Sequence, residues 1–156
     1  MKIEAVIRPA IETDLPSIRP LLSELMEAMT DTEGFDIDQS IENCRMMIRD
    51  PAQHVLVAVQ GSKILGLVNF TARQTIMHPS SSGLIDELIV SESSRGKGIA
   101  RQLVRAAIDK CRESGCCELE VSTEKRNTKA RRFYKACGFE EDAVLLELHL
   151  TETDSE

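Results

Sequence analysis

The chain has 156 residues, 42% hydrophobic and 29% charged, with a formal net charge of −7. That length fits one domain able to bury about 68–70% of its unfolded surface. No apolar run nears the roughly 20 residues of a membrane span, MKIEAVIRP lacks the apolar core of a signal peptide, and the acidic balance argues against nucleic acid as the main ligand. A cytoplasmic domain with no membrane contact is the expectation, and the charge leaves room for a cationic substrate.

Taken in chain order, residues 3–8 read as a short strand closed by Pro9. Thr13 or Asp14 can cap a first helix, with Pro16 tolerated in its first turn. Ile18, Leu21, Leu22, Leu25 and Met29 recur at helical spacing, and Pro20 kinks that helix or marks its start. An acidic linker, Thr30 to Asp38, carries Asp31, Glu33, Asp36 and Asp38. Asp38 can cap a second helix, Gln39 to Arg49, which ends before Pro51. His54 to Arg73 reads as a hairpin about Gln60-Gly61-Ser62, and Thr75 to Gly83 as a loop.

Leu84 to Val90, LIDELIV, predicts a fourth strand. From Gly98 the period becomes helical, with Ile99, Leu103, Ala107, Ile108 and Cys111 on one side, until Gly115. CCELEVST predicts a fifth strand, and Asn127 to Ala136 a fourth helix stopped at Gly138. FEEDAVLLELHL should close the sheet, and residues 151–156 form a polar tail. The order implies one mixed α/β domain over residues 1–150. Five cysteines at irregular spacing, with no CxxC pair, are expected as free thiols. Neither they nor His54, His78 and His149 cluster as a metal site, so no metal is expected.

The densest chemistry lies between the fourth strand and the third helix, in LIVSESSRGKGIARQLV. A strand entering a helix through small residues exposes the helix's first N–H groups, with the positive end of its dipole behind them. Arg95 and Lys97 add charge, and Gly96 and Gly98 allow close approach and positive φ. This is a phosphate or pyrophosphate site. The Walker pattern is missing, and the dinucleotide fingerprint fails because position 101 is Arg.

Arg95-x-x-Gly98-x-Ala100 resembles the pyrophosphate signature of the GCN5-related N-acetyltransferase (GNAT) superfamily. NTKARRFYKACGFEE resembles the family's second signature, and IRPAIETDLPSI its first strand and helix. The resemblance covers nearly the whole chain and is weakest over Leu22 to Arg49. It implies a twisted, mostly antiparallel sheet of six or seven strands with four helices. Strands four and five would splay for acetyl-CoA.

By the same resemblance, the N–H groups of Arg95, Gly96, Lys97, Gly98, Ile99 and Ala100 hold pyrophosphate. Leu88, Ile89 and Val90 pair with pantetheine as an added strand, and the Leu88 N–H meets the thioester oxygen. Asn127 caps the fourth helix and touches pantetheine, and Tyr134, the one tyrosine, is the general acid. The base is Glu87, as the family's small-amine branches suggest, or Asp86. Strand alternation sends the two carboxylates to opposite faces unless a bulge intervenes.

The implied acceptor is a small cationic amine, of aminoalkylphosphonate, aminoglycoside or polyamine type. A protein lysine or N-terminus, or a non-catalytic acyl-CoA sensor, are the rival readings. Lys125 and Arg126 could receive an anionic acceptor group or the 3′-phosphate of CoA. The acidic linker and the loop from Thr75 to Ser82, with His78, are candidate acceptor walls, and family members often form homodimers.

Overall fold

Five strands form one sheet in the order β1-β2-β3-β4-β5, the first three junctions antiparallel and the last parallel. They are β1 Val6–Pro9, β2 Gln53–Gln60, β3 Lys63–Arg73, β4 Ser82–Val90 and β5 Glu118–Val121. The helices are α1 Leu15–Ala28, α2 Ile37–Arg49, α3 Ile99–Glu113 and α4 Thr128–Ala136. The computed structural model describes residues 1–29 and 34–150; Asp31 and Glu33 of the acidic linker and the tail 151–156 lie outside the described residues. Contacts divide the chain into two units, Met1–Val121 with the sheet and α1 to α3, and Ser122–Glu156 with α4.

In the first unit the sheet is covered on both faces, so β2 and β3 read as nearly unbroken apolar runs rather than alternating ones. Strand parity sorts the two cores. Odd positions Val55, Val57, Leu67 and Ile89 pack with Leu15, Ile18 and Leu21 of α1. The other face meets α3: a Cβ on Gly66 would fall 3.1 Å from the Leu103 side chain and 2.6 Å from the Ile89 carbonyl, so β3 needs glycine there. Ile99, Leu103, Val104, Ala107 and Cys111 are the buried stripe of α3.

The helix starts differ in detail from the sequence reading. Asp14 precedes α1, but its carboxylate is engaged elsewhere, accepting two bonds from Arg8 at 2.7 and 2.9 Å and one from the Ile11 N–H. Pro20 lies inside α1, which forgoes one internal hydrogen bond there. Asp36 rather than Asp38 caps α2; its side chain accepts from the Asp38 N–H, so the helix begins two residues early, at Ile37. Arg19 then ties α1 to α2 through Asp38 at 2.5 Å.

The sheet has five strands among the described residues rather than six or seven. Phe139 to Leu150, expected to close it, forms no ladder, and Val144, Leu145, Leu146, Leu148 and Leu150 are exposed. The apolar pattern is present, but a strand is defined by a partner's edge, which composition does not supply.

Candidate acceptor cavity and donor edge

Strand β4 carries the decisive irregularity. Asn69 of β3 is opposite Glu87, while Phe70 is opposite Ile85, so Asp86 is the extra residue of a β-bulge. Before the bulge, Gly83 faces α3: a Cβ there would lie 2.6 Å from the Cys111 sulfur. Beyond it, Glu87 and Ile89 face the side of α1 and α2. The bulge therefore turns Glu87 to the face opposite Ile85, although the two are two residues apart. Buried Asn69 repairs the ladder, its Oδ1 accepting the Glu87 N–H at 2.8 Å.

Glu87 lines a cavity of about 350 Å³ between α1, α2 and the sheet. Leu22, Leu25 and Met26 of α1, Met47 of α2, and Leu67 and Ile89 of the sheet form its apolar wall. Asp36, Gln39, Ser40 and Asn43 bring polar groups from the α2 side, and Asn69 from the sheet. Water reaches Glu87 in this concavity, yet the surrounding protein strips much of its hydration. Its carboxyl is held above the ordinary value, mainly by that desolvation; an Asn69 hydrogen bond opposes the rise and Asp86 adds to it. Asp86 is also raised by desolvation but does not line the cavity.

Cys44 shares the cavity, and burial with the nearby Glu87 pushes its thiol up to about 11. It is a neutral thiol at pH 7 and no nucleophile. Thr75 to Ser82 and His78 do not line this cavity. His78 instead bridges Thr75, at 2.6 Å, to Glu118, at 2.8 Å, beside the start of β5. It holds a loop against the sheet end.

Among the described residues, the opposite edge of β4 has no strand partner beyond Ile85. Pairing with β5 covers Ser82 to Ile85, and Val121 is the last partner. The Ser91 N–H bonds Leu65 and the Glu87 N–H bonds Asn69, so residues 87, 89 and 91 address β3. Leu88 and Val90 consequently direct their backbone groups away from β3, past the end of β5. The limited pairing accords with the expected splay. Arg95 Nε donates to the Val90 carbonyl at 3.2 Å.

Past Val90, a 3-10 turn at Glu92–Ser94 leads into Arg95 to Gly98. The backbone N–H groups of Gly96, Lys97, Gly98, Ile99 and Ala100 meet no acceptor among the described residues. Gly98 is the N-cap of α3 at φ 86°, a left-handed conformation that favours glycine. Lys97 Nζ donates to the Ser93 carbonyl at 2.7 Å, which draws its charge back over the turn.

Gln102 holds this turn from behind, a role the sequence did not reveal. Its Nε2 donates to the Ile3 carbonyl at 2.6 Å and its Oε1 accepts the Ala5 N–H at 3.0 Å. The Ile3 N–H meets the Lys97 carbonyl at 3.0 Å. Asn69 was missed too, although an amide side chain between Val68 and Phe70 in LGLVNFTAR was a visible signal.

In the second unit, Asn127 caps α4 as expected, accepting the Ala130 N–H at 3.0 Å. Tyr134 is half-buried, edge-on to Phe133 and Phe139 at ring separations of 5.2 and 5.6 Å. Burial, with a smaller effect of Cys137, raises its phenol above the ordinary value, so it keeps its proton at neutral pH.

Among the described residues no group of three or more His, Cys, Asp or Glu is arranged to hold a metal ion, and no helix is long and apolar enough to cross a membrane.

The chain is 27% identical over 135 residues to the aminoalkylphosphonate N-acetyltransferase of Salmonella typhimurium, spanning 86% of this chain and 84% of that one. It is 30% identical over 118 residues to N-alpha-acetyltransferase 30 of Xenopus laevis, 74% of this chain and 42% of that protein. In fold it is similar to AAC(6')-Iy, solved with the bisubstrate analogue CoA-S-monomethyl-acetylneamine. The TM-score is 0.79 at 21% identity, over 94% of this chain and 98% of that one. The model of the acetyltransferase (GNAT) family matches residues 15–139, and the chain belongs to that family.

Proposed function

We propose that this chain transfers the acetyl group of acetyl-CoA to a small primary amine by direct attack on the thioester. It would act as one domain over residues 1–150, in the cytoplasm, where its five free cysteines fit a reducing medium. The observation that carries the reading is the conjunction on β4. Glu87 faces a cavity while the backbone of its neighbour Leu88 faces an open sheet edge.

The residues present suit the donor. Five unpaired N–H groups at the positive end of α3 match a pyrophosphate, with Arg95 and Lys97 adding charge. The free edge at Leu88 and Val90 matches the amides of pantetheine, with Ile89 between them turned to β3, and Asn127 is assigned to it by family resemblance. Bound acetyl-CoA supplies an acyl carbon activated as a thioester. The Leu88 N–H would meet the carbonyl oxygen as charge develops there, a contribution of about 2.7–4 kcal/mol.

Glu87 accepts a proton from the incoming ammonium. A Lys-like amine is neutral in only about one molecule in 2,500 at pH 7, a cost of roughly 4.6 kcal/mol. Raising the Glu87 pKa narrows the gap between base and amine. The freed lone pair forms the C–N bond while the C–S bond breaks, and the nitrogen sheds its second proton to solvent as the amide forms. Tyr134 is assigned the general-acid role, donating its phenolic proton to the departing sulfur. The neutral state of Cys44 supports direct transfer over an acyl-cysteine intermediate.

Glu87→Gln is expected to lower kcat by about 10²–10⁴-fold while acetyl-CoA still binds by calorimetry. Asp86→Asn should leave most of the rate, and the reverse pattern would reassign the base to Asp86. A polypeptide N-terminus as acceptor is the second reading, favoured by the likeness to N-alpha-acetyltransferase 30.

A further inference from the structure

The acceptor cavity has a composition that narrows the amine it suits. Its described lining contains two carboxylates, Asp36 and Glu87, and no Lys, Arg or His. A phosphonate, phosphate or carboxylate on the acceptor would enter the field of like charges with no counter-charge, an arrangement that discriminates strongly against it.

The neutral lining is equally uneven. The α1 side presents Leu22, Leu25, Met26 and, just past the helix, Met29, whose side chains offer no donor to a hydroxyl, and Phe35 also lines the cavity. A polyhydroxylated sugar would bury hydroxyls against that wall without partners. Methionine thioethers are adaptable and polarisable, well suited to an alkyl or aryl chain. The polar groups lie on the other side, where Gln39 Nε2 already donates to Asn43 Oδ1 at 3.0 Å.

We propose that the preferred acceptor is a primary amine on an apolar alkyl, thioether or aryl arm, without an anionic group. Its ammonium would meet Glu87, and its arm would lie along the Leu22–Met26 wall. The inference rests on the acetyl-transfer reading above. It departs from the acceptor named for the Salmonella relative, since aminoalkylphosphonates carry a charge that the described lining of this cavity has no group to receive.

The test compares phenethylamine and hexylamine with aminoethylphosphonate, neamine and a methionyl peptide amide, following CoA release by the intact protein. The apolar amines should exceed aminoethylphosphonate and neamine in kcat/KM by at least about tenfold. Equal or better use of the phosphonate or neamine would overturn the acceptor class while leaving acetyl transfer standing. Preference for the peptide would overturn the small-amine acceptor in favour of a polypeptide N-terminus.

Binding without turnover separates the two readings. Phenethylamine, titrated calorimetrically into the CoA-saturated protein, should bind where aminoethylphosphonate does not. If it binds but is never acetylated, the transfer reading fails and the acceptor class stands. If it does not bind, the class fails. Asn43 is exposed and lines the cavity. Asn43→Arg should shift the phosphonate-to-hexylamine kcat/KM ratio upward by about tenfold or more with an unchanged melting temperature; an unmoved ratio overturns the proposal.

Discussion

Glu87 and Tyr134 are shifted in the same direction by the same cause. Burial raises both pKa values, which moves a carboxyl toward the working range of a base and keeps a phenol as an acid. The acidic limb of the kcat profile should therefore lie above the ordinary carboxylate pKa, and Glu87→Gln should abolish that limb. Tyr134→Phe should lower kcat by about 10²–10⁴-fold with little change in acetyl-CoA affinity; an unchanged rate would remove the acid assignment. The residue types were legible in IDELIVS and RRFYKACGF. Which carboxylate faces the cavity was not, because a bulge is a fact about two strands and appears in the sequence of neither.

At the scale of elements, the turn into α3 is held in place by the chain's own beginning. Gln102 bonds both the Ile3 carbonyl and the Ala5 N–H, and Ile3 bonds Lys97. Gln102 is thus a positioning residue for the donor loop. Gln102→Leu should raise the KM for acetyl-CoA several-fold, leave kcat within about twofold, and be rescued in part by Gln102→Glu, which keeps the acceptor for Ala5. A merely structural role would lower both parameters through lost folded protein. The α3 stripe and the β2–β3 hairpin were readable from their periods. Gln102 was not, since nothing in RQLVRA shows that residues 3–5 lie beside it. The C-terminal apolar segment failed for the converse reason: its pattern was clear, but the ladder it implied depends on an edge elsewhere.

Across the whole molecule, the ionisable groups divide between those that stabilise the fold and those that strain it. Asp14 is pulled below the ordinary carboxylate range, chiefly by its hydrogen bonds from Arg8. Its contribution is present above the unfolded pKa and disappears as pH falls through the folded one. Asp14→Asn should lower the melting temperature at pH 7 by about 3–6 °C, with the difference vanishing in acid. Glu87 has the opposite sign. Its raised pKa means the folded state binds more protons than the unfolded one, so stability declines as pH rises through that window. Glu87→Gln should accordingly melt higher than the parent at neutral pH and lose that advantage in acid, even as it loses activity. A parent that melts higher at neutral pH would contradict the desolvation of Glu87. Both cores were foreseeable from apolar content, but their assignment to opposite faces required the strand register.

The open edge of β4 has one more implication. On the proposed assignment, what faces the donor there is main chain, which amino-acid replacement leaves nearly unaltered, whereas what faces the acceptor is a set of side chains from α1, α2 and alternate strand positions. Mutation can rewrite the second surface residue by residue while the first persists. A lineage built this way can explore new amines from a constant acyl source, and an engineer can do the same by varying the Leu22–Met47 wall alone.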